Sequence, residues 1–416
     1  MIAEQPTSTL STPFQVGDEL PPELFHNIRR RLMLDSCKWD PQVGDVATIS
    51  PFPLLVRGDH WRHLSHLATR LAAELMSAEQ ELLCRPDLHR RLGLPRRIRS
   101  VLRHAQKIRA TPTLARVLRF DFHWTAEGWR ISEVNSDVPG GFSEASELPA
   151  LMAKYYPGTR PAGNPGATWA GAIAASVPPR QTIALLAAPG FIEDQQVIAY
   201  LGQLLNQLGC SSRPSSPENL YWQHGIAYLR SESERNPLGA IVRFVQAEWL
   251  RGRSSSSLFV RGQTPVGNPG IAVLTESKRF PLTWDQLSTP LPTWRQLLPT
   301  TVDPRDANWR EDESWLVKSA LCNTGDTVAF RSLLIDHQWR SVKRAVSLSP
   351  GSWIAQKRFA TCPIQTPVGS IYPCIGVYTV NGHPAGTYGR FSRSPLIDYT
   401  AVDIAILIAD DRTEEP

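Results

Sequence analysis

Apolar residues recur every three or four positions in the N-terminal quarter of the chain, and this spacing predicts helices from Pro22 to about His104. The clearest run extends from Trp61 to Leu83. We expect Asp59 to cap this helix, because its carboxylate can accept hydrogen bonds from the first free backbone N–H groups. Arg85-Pro86 is expected to end the helix, since proline cannot continue the helical hydrogen-bond ladder.

Between residues 117 and 135 the pattern changes to alternation, which predicts two strands joined by a hairpin loop. Arg119 and Asp121 share the polar face of the first strand, and Glu133 and Asn135 share a face of the second. In one available register Asp121 lies opposite Glu133, and Arg119 lies opposite Asn135. A symmetric four-residue loop would instead set Phe120 opposite Glu133, so both registers remain open.

The middle of the chain combines short apolar strands with a helix. A strand is predicted over Thr182–Ala188, a helix over Asp194–Leu208, and further strands over Ile226–Leu229 and Ala240–Val245. Strands that alternate with a helix indicate a parallel, Rossmann-like sheet. The block contains no GxGxxG sequence, so the fingerprint of dinucleotide-binding proteins is absent.

These patterns predict an α/β protein whose chain divides into four segments. We expect residues 1–20 to be disordered or extended, 21–160 to form a helical region plus the polar hairpin, 161–260 to form the Rossmann-like block, and 261–416 to form a C-terminal region of strands, turns and a few helices. With 416 residues the chain is long enough for two or three domains.

Composition is typical of a soluble globular protein, with 42% hydrophobic and 20% charged residues. The net charge is +5, and no basic stripe dominates, so we do not expect nucleic acid as a partner. Six cysteines without a CxxC pair are typical of reduced thiols, and no apolar run has the length of a membrane span. We therefore expect a cytoplasmic protein without a membrane partner; the oligomeric state stays open.

The polar face of the hairpin can carry chemistry. Two facing carboxylates, Asp121 and Glu133, repel each other unless a cation lies between them. Carboxylate oxygens and the amide oxygen of Asn135 are ligands that suit Mg²⁺ bound together with phosphate. The neighbouring Arg119 can neutralise charge on a phosphoryl group. The alternative is a surface hairpin whose polar face is simply solvated.

The order of several motifs resembles the pre-ATP-grasp signature of the glutathionylspermidine synthase family. The core of the resemblance is Arg119-Phe120-Asp121-Phe122, followed by Glu133-Val134-Asn135-Ser136-Asp137 and by Glu144-Ala145. Shorter matching pieces occur at Arg243–Trp249, Ser277-Lys278, Trp315–Lys318, Asn323–Asp326, Trp353–Gln356, Gly376–Tyr378 and Gly386–Arg390.

The resemblance implies an ATP-grasp-like fold with a Rossmann-like pre-ATP-grasp block, and ATP and Mg²⁺ as cofactors. Such ligases phosphorylate a carboxylate and let an amine attack the acyl phosphate, so a small-molecule or peptide carboxylate and an amine are the expected substrates. By the same resemblance, Mg²⁺ ligands would be Asp121, Glu133 and Asn135, the catalytic arginines would be Arg119 and Arg390, and the ATP contacts would be Lys278, Lys318, Gly325 and Gln356.

Departures from the family pattern leave alternatives open. The family's Lys-Pro and later Gly-Arg are replaced by Lys318-Ser319 and Cys322-Asn323, and Leu348–Ile354 lacks the family's second ATP lysine. Lys343 or Lys357 can take its place. The alternatives to a ligase are an inactive ATP-binding partner or scaffold, and a kinase that stops at a phosphorylated product. The sequence offers no Cys/His pair that would indicate the cysteine amidase domain carried by bifunctional members of the family.

Overall fold

The computed structural model describes residues 12–40, 42–43, 46–105, 114–230, 236–250, 259, 262–321, 327–398 and 400–410. Among these residues, the structure contains no helix with both the length and the apolar character needed to cross a membrane. The predicted disordered segment 1–20 lies largely outside the described residues, and its described end includes an extended strand at Phe14–Val16.

The described chain mixes helices and strands throughout. The helices are α1 (Pro22–Asp35), α2 (Gly58–Leu83), α3 (Arg96–Ala105), α4 (Phe142–Met152), α5 (Pro165–Ser176), α6 (Ile192–Gln207), α7 (Val273–Glu276), α8 (Pro292–Leu297) and α9 (Asp336–Leu348). The strands are β1 (Phe14–Val16), β2 (Gln42–Val43), β3 (Val46–Ala47), β4 (Leu54–Arg57), β5 (Val117–Thr125), β6 (Gly128–Asn135), β7 (Thr159–Pro161), β8 (Ile183–Ala187), β9 (Ser212–Ser215), β10 (Leu220–Gln223), β11 (Ile226–Leu229), β12 (Ala240–Phe244), β13 (Val266–Gly267), β14 (Thr301–Val302), β15 (Trp315–Ser319), β16 (Trp353–Lys357), β17 (Ile364–Thr366), β18 (Gly369–Val380), β19 (His383–Ser392), β20 (Val402–Ile404) and β21 (Ile406–Ala409).

A six-stranded sheet carries the hairpin at one edge. Its strand order is β20-β19-β18-β5-β6, and β17 pairs with β18. The hairpin therefore shares one sheet with strands from the last third of the chain, and the division between segments 21–160 and 261–416 does not follow a break in the fold. Helix α2 packs on the apolar face of this sheet, where Phe120 and Phe122 are fully buried with Leu64 and Leu71.

A β-bulge decides the register of the hairpin. Near the turn the pairing is symmetric, with Phe122 opposite Ile131. Ser132 is then skipped, so that Asp121 lies opposite Glu133 and Arg119 lies opposite Asn135. Such an extra residue re-aims the side chains that follow it. The first of the two predicted registers is confirmed, and the symmetric one is wrong.

The Rossmann-like block is a four-stranded parallel sheet with the order β13-β12-β8-β9. Its central strands β8 and β12 are buried along their whole length, as expected for a sheet covered on both faces. The predicted strand Ile226–Leu229 exists, but it pairs with β10 in a separate antiparallel hairpin and does not belong to the parallel sheet.

Two smaller sheets complete the described fold, and the first of them lines the cavity described below. In the first, β15 and β16 pair antiparallel and place Lys318 opposite Ile354 and Gln356 opposite Leu316. The second has the order β1-β4-β21-β7 and joins the N-terminal and C-terminal strands of the described chain. Strand β21 runs parallel to β4 in this sheet.

The N-terminal region is less helical than the sequence predicts, because β2, β3 and β4 lie between α1 and α2. The predicted cap at Asp59 is wrong. Helix α2 begins at Gly58, and Arg57 occupies the cap position without a side-chain hydrogen bond. The carboxylate of Asp59 instead accepts hydrogen bonds from the Arg57 guanidinium at 2.7 Å and from the backbone N–H of His60 at 2.9 Å.

Candidate functional site

The polar face of the hairpin is buried and paired. Only 1% of Asp121 and 5% of Arg119 is exposed, which excludes a merely solvated surface hairpin. The Arg119 guanidinium donates to both carboxylate oxygens of Asp121, at 2.8 and 3.1 Å, and to the backbone oxygen of Gly140 at 2.8 Å. The rings of Tyr378 and Tyr388 lie 6.0 and 5.2 Å from its central carbon. Arg119 is thus fixed in orientation on several sides.

Asp121 connects the two arginines that the sequence singled out. Arg390, on β19, donates to Oδ2 of Asp121 at 2.8 Å. Burial by itself raises the pKa of Asp121, but the guanidiniums of Arg119 and Arg390 outweigh it and hold the pKa at about 2. Asp121 is therefore a carboxylate at any pH near neutrality, although it is fully buried.

Glu133 is held by lysines from two other segments. Lys278 Nζ lies 3.0 Å from Oε2 of Glu133, and Lys318 Nζ donates to the neighbouring backbone oxygen of Ser132 at 3.1 Å. Burial raises the pKa of Glu133, yet the charges of Lys278 and Lys318 keep that pKa below its usual value. The structure therefore brings seven of the predicted site residues to one place: Arg119, Asp121, Glu133, Asn135, Lys278, Lys318 and Arg390.

A cavity of about 1050 Å³ opens above this group of side chains. Arg390, Lys318 and Gln356 line it, and the side-chain nitrogen of Gln356 donates to Thr301 Oγ1 at 2.9 Å. Of the two lysines that the sequence left as alternatives, Lys357 lines the cavity, at the end of β16. The predicted ATP contact at Gly325 lies outside the described residues.

The oxygen donors of the hairpin fit Mg²⁺ that is held together with a phosphate. Asn135 donates its side-chain N–H to Asp121 Oδ2 at 3.3 Å, which leaves its amide oxygen as the possible ligand. Among the described residues, no three His, Cys, Asp or Glu side chains are arranged to hold a metal ion by themselves. Two carboxylates and one amide are nevertheless typical of Mg²⁺ sites in which phosphate oxygens and water complete the shell.

The opposite wall of the same cavity is acidic and was not predicted from the sequence. The acidic wall consists of Asp40, Glu144, Glu193, Asp194 and Asp403. Lys38 lies among three of its members, with Nζ at 3.0 Å from Asp40, 2.7 Å from Glu144 and 3.2 Å from Asp403. The wall thus holds five carboxylates and one ammonium group, which pairs with three of them, so this part of the cavity favours cations.

Two members of the acidic wall differ from ordinary carboxylates. Burial and the neighbouring charge of Glu193 raise the pKa of Asp194 to about 7. Burial also raises the pKa of Glu193, and the charge of Asp40 acts in the same direction. Tyr388, whose hydroxyl donates to Asp403 at 2.7 Å, connects the acidic wall to the Arg119 side of the cavity.

Gly376 leaves the space that Arg119 occupies. A Cβ atom at this position would lie 2.7 Å from Cδ of Arg119. Gly376→Ala is therefore expected to displace the guanidinium, lower the free energy of unfolding by about 1–3 kcal/mol and reduce activity. Chemical denaturation and turnover measurements check this. Gly171→Ala on α5, where a Cβ meets no neighbour within 4 Å, is the matched control; equal behaviour of the two variants would contradict the prediction.

His123 adds a pH dependence to the stability of the hairpin. Its ring lies 3.1 Å from Ser132 Oγ, and burial lowers the pKa of His123 to about 4 from its usual 6.5. Because the unfolded chain takes up this proton first, the stability due to neutral His123 is complete above pH 6.5 and is lost as the pH falls towards 4. The loss amounts to about 3 kcal/mol.

Denaturation curves between pH 4 and 7 test this assignment. His123→Gln is expected to flatten the dependence in that window, whereas His26→Gln, at an exposed histidine of α1, should leave it unchanged. A profile of the His123→Gln variant that matches the wild type would show that other groups carry the dependence.

The sequence profile described as "Glutathionylspermidine synthase preATP-grasp" matches residues 56–408, which is most of the chain and includes the hairpin, β15, β16 and β19. The chain belongs to this family. A comparison with curated protein sequences gave no significant match.

Two solved structures are similar to this chain, and the first of them supports the fold. A glutathione synthetase-like effector (GSS30) from Globodera pallida, in its apo form, matches with a TM-score of 0.65 and 10% sequence identity, over 93% of this chain and 98% of that one. A putative gamma-glutamylcysteine synthetase from Methylobacillus flagellatus KT matches with a TM-score of 0.41 and 14% identity, over 78% of this chain and 83% of that one.

The predicted fold class, an ATP-grasp-like α/β fold with a Rossmann-like block, is confirmed by the family and by the first of these structures. The resemblance to the glutathionylspermidine synthase family is confirmed as well. Family membership indicates a synthetase-type ligase; the reaction, the nucleotide and the metal belong to the proposal that follows.

Proposed function

We propose that this chain is an ATP- and Mg²⁺-dependent ligase that joins a carboxylate to an amine through an acyl phosphate. The observation that carries the proposal is the charge balance around the hairpin. Two carboxylates, Asp121 and Glu133, are surrounded by four cationic side chains, those of Arg119, Lys278, Lys318 and Arg390. The surplus of positive charge favours a polyanion such as the phosphates of ATP.

The proposed reaction has two steps. A carboxylate oxygen of the first substrate attacks the γ-phosphorus of ATP, and ADP leaves. The amine nitrogen of the second substrate then attacks the acyl carbon, inorganic phosphate leaves, and the amide forms with loss of one proton. Asp121, Glu133 and Asn135 would hold Mg²⁺, which would neutralise charge on the phosphate oxygens in the first step.

This chain's own side chains have distinct roles in those steps. Arg119 is held in place by Asp121 and Gly140. The N–H groups that it does not use for these contacts are therefore oriented before the phosphoryl group arrives, which favours the charged transition state. Lys318 and Lys357 line the same cavity and bind phosphate oxygens. Asp194, whose pKa is about 7, takes the proton of the attacking amine at neutral pH.

The acidic wall suggests the chemical class of the amine. A second substrate that carries more than one positive charge, such as a diamine or polyamine, would be attracted to the carboxylates of Glu193 and Asp194 on that side of the cavity. Lys38 already neutralises part of the charge of Asp40, Glu144 and Asp403. Glu193 and Asp194 are therefore the carboxylates assigned to the substrate.

A turnover assay tests the ligase proposal. We expect Mg²⁺-dependent ADP release only when a carboxylate and a cationic amine are both present, and mass spectrometry should detect the amide. Hydroxylamine added in place of the amine should trap the acyl phosphate as a hydroxamate. ATP binding without turnover across a broad panel would favour an inactive partner protein, and a stable phosphorylated product without amide would favour a kinase.

A double variant tests the class of amine. Glu193→Gln with Asp194→Asn is expected to raise KM for a diamine about tenfold or more, because two carboxylates that face the substrate are lost. It should also lower kcat, because Asp194 no longer takes the amine proton, while KM for ATP stays unchanged. Glu23→Gln with Asp18→Asn removes the same charges from exposed positions near the N-terminus and is the control. An unchanged KM for the diamine would assign the acidic wall to another role.

A further inference from the structure

A cluster of four arginines lines a second cavity, away from the hairpin. Arg96, Arg99 and Arg103 follow one another on α3 at steps of three and four residues, so they share one face of that helix. Arg90, at the end of a single 3₁₀ turn, completes the lining of a cavity of about 520 Å³. None of the four lines the larger cavity with the acidic wall.

No carboxylate balances the arginine cluster. Within the described residues, none of the four arginines forms an ion pair, and Asp87 is paired with Arg85 at 2.8 Å. Asp87 is also the only acidic residue in the sequence from residue 85 to residue 120, a range that includes the undescribed residues 106–113. The sequence that flanks the arginine cluster therefore contains no other acidic residue that could balance its charge.

Such an arrangement is unfavourable without a ligand. Like charges three and four residues apart destabilise a helix. Arg90, Arg96 and Arg103 are exposed, and Arg99 is half-buried. Within the described residues, the Nε atom of Arg99 is itself buried and has no hydrogen-bond partner, although buried donors of this kind normally have one. Burial lowers the pKa of Arg99, and the charges of Arg103, Arg90 and Arg96 lower it further. Repulsion and an unsatisfied donor thus coincide in one concave site.

We propose that the arginine cluster of Arg90, Arg96, Arg99 and Arg103 binds a phosphate-chain anion. Guanidinium groups bind phosphate oxygens through two parallel N–H donors, and several of them converging on one cavity match successive phosphates of a chain. The chain can belong to inorganic polyphosphate or to a nucleotide, which share this chemistry. A concave cavity favours such a compact anion over the flat surface that a nucleic-acid duplex requires.

The proposal does not depend on the ligase reaction, and its test needs no turnover. Calorimetric titration of the full chain with sodium tripolyphosphate, without Mg²⁺ or nucleotide and with Lys318→Ala to weaken the proposed catalytic site, leaves the arginine cluster free to bind. We expect one binding event whose affinity falls when the sodium chloride concentration is raised about threefold from a low starting value, as for other charge-driven contacts. Absence of binding at the lower salt concentration would overturn the proposal.

Matched variants locate the binding event. Arg96→Gln with Arg103→Gln is expected to weaken tripolyphosphate binding about tenfold or more, because two charge-assisted contacts are lost. Arg30→Gln with Arg344→Gln removes the same charge from exposed positions on α1 and α9 and should leave affinity within about twofold of the wild type. Equal weakening by both pairs would mean that only overall charge matters, and the site would be rejected.

Two further titrations distinguish the source of the ligand. Both are done in the Lys318→Ala background without Mg²⁺. If ATP binds more tightly than tripolyphosphate, and only when the arginine cluster is intact, the ligand is a nucleotide. Similar affinities identify the bare phosphate chain. If a short RNA duplex binds through these arginines while tripolyphosphate does not, the surface recognises nucleic acid and the proposal is wrong.

Discussion

Arg119→Ala is expected to lower the rate of amide formation roughly a thousandfold, the scale of a lost arginine that stabilises a transferring phosphoryl group. Arg119 donates to Asp121 and Gly140 and lies against Tyr388, so its guanidinium is oriented before the phosphoryl group arrives. Rapid-quench measurement of kcat with saturating ATP checks this. The Kd for ATP should change much less, since Lys318 remains.

Two companion variants make this result interpretable. Arg119→Lys keeps a charge but loses the two-pronged donor, so an intermediate rate is expected. Arg130→Ala removes an arginine of the same hairpin that pairs with Glu127 at the surface, and it should leave kcat unchanged. Since removing Arg119 also leaves Asp121 less neutralised, melting curves must show that the variant is folded at the assay temperature. A folded Arg119→Ala variant with wild-type kcat would disprove its role.

Glu133→Gln is expected to lower kcat about 100-fold or more and to shift the Mg²⁺ requirement to higher concentration. The substitution keeps the shape of the side chain but removes one of the two carboxylates facing each other across β5 and β6. It also replaces the carboxylate oxygen that lies 3.0 Å from Lys278 Nζ by an uncharged group. Turnover measured over a Mg²⁺ titration at fixed ATP separates the two effects, because only a lost ligand is rescued by more metal.

Glu127→Gln is the control for that experiment, since Glu127 lies in the loop of the same hairpin with 78% of its side chain exposed. Its Mg²⁺ dependence should equal that of the wild type. A Glu133→Gln variant with lower kcat but an unchanged Mg²⁺ midpoint would assign Glu133 to positioning Lys278, and the metal assignment would fail. The predictions for Arg119 and Glu133 can therefore be tested independently of each other.

The sequence was sufficient to predict the hairpin because its signals are local. Alternation gave both strands, and residue order identified Asp121 and Glu133 as facing carboxylates in one of two registers. The choice between the registers depends on Ser132, the extra residue of the bulge. A bulge is stabilised by the bending of the sheet as a whole. No residue type in β6 indicates from the sequence alone that a bulge will form there.

The acidic wall was beyond prediction for a different reason. Lys38, Glu144 and Asp403 come from three distant parts of the chain, and each occupies an ordinary polar position in its own segment. Only the tertiary structure brings both carboxylates within 3.2 Å of Lys38 Nζ. The misplaced strand Ile226–Leu229 has a similar cause, since its apolar pattern suits a parallel sheet and a separate hairpin equally well.

The sharing of one sheet by distant strands has a consequence for biosynthesis. Strand β5 pairs with β18, and β4 pairs with β21, so both wait for the last part of the chain to leave the ribosome. Until then one edge of the hairpin is unpaired, and open strand edges readily join those of other chains. A product that stops before Gly369 would therefore be an aggregation-prone fragment, and protein quality control must recognise it as one.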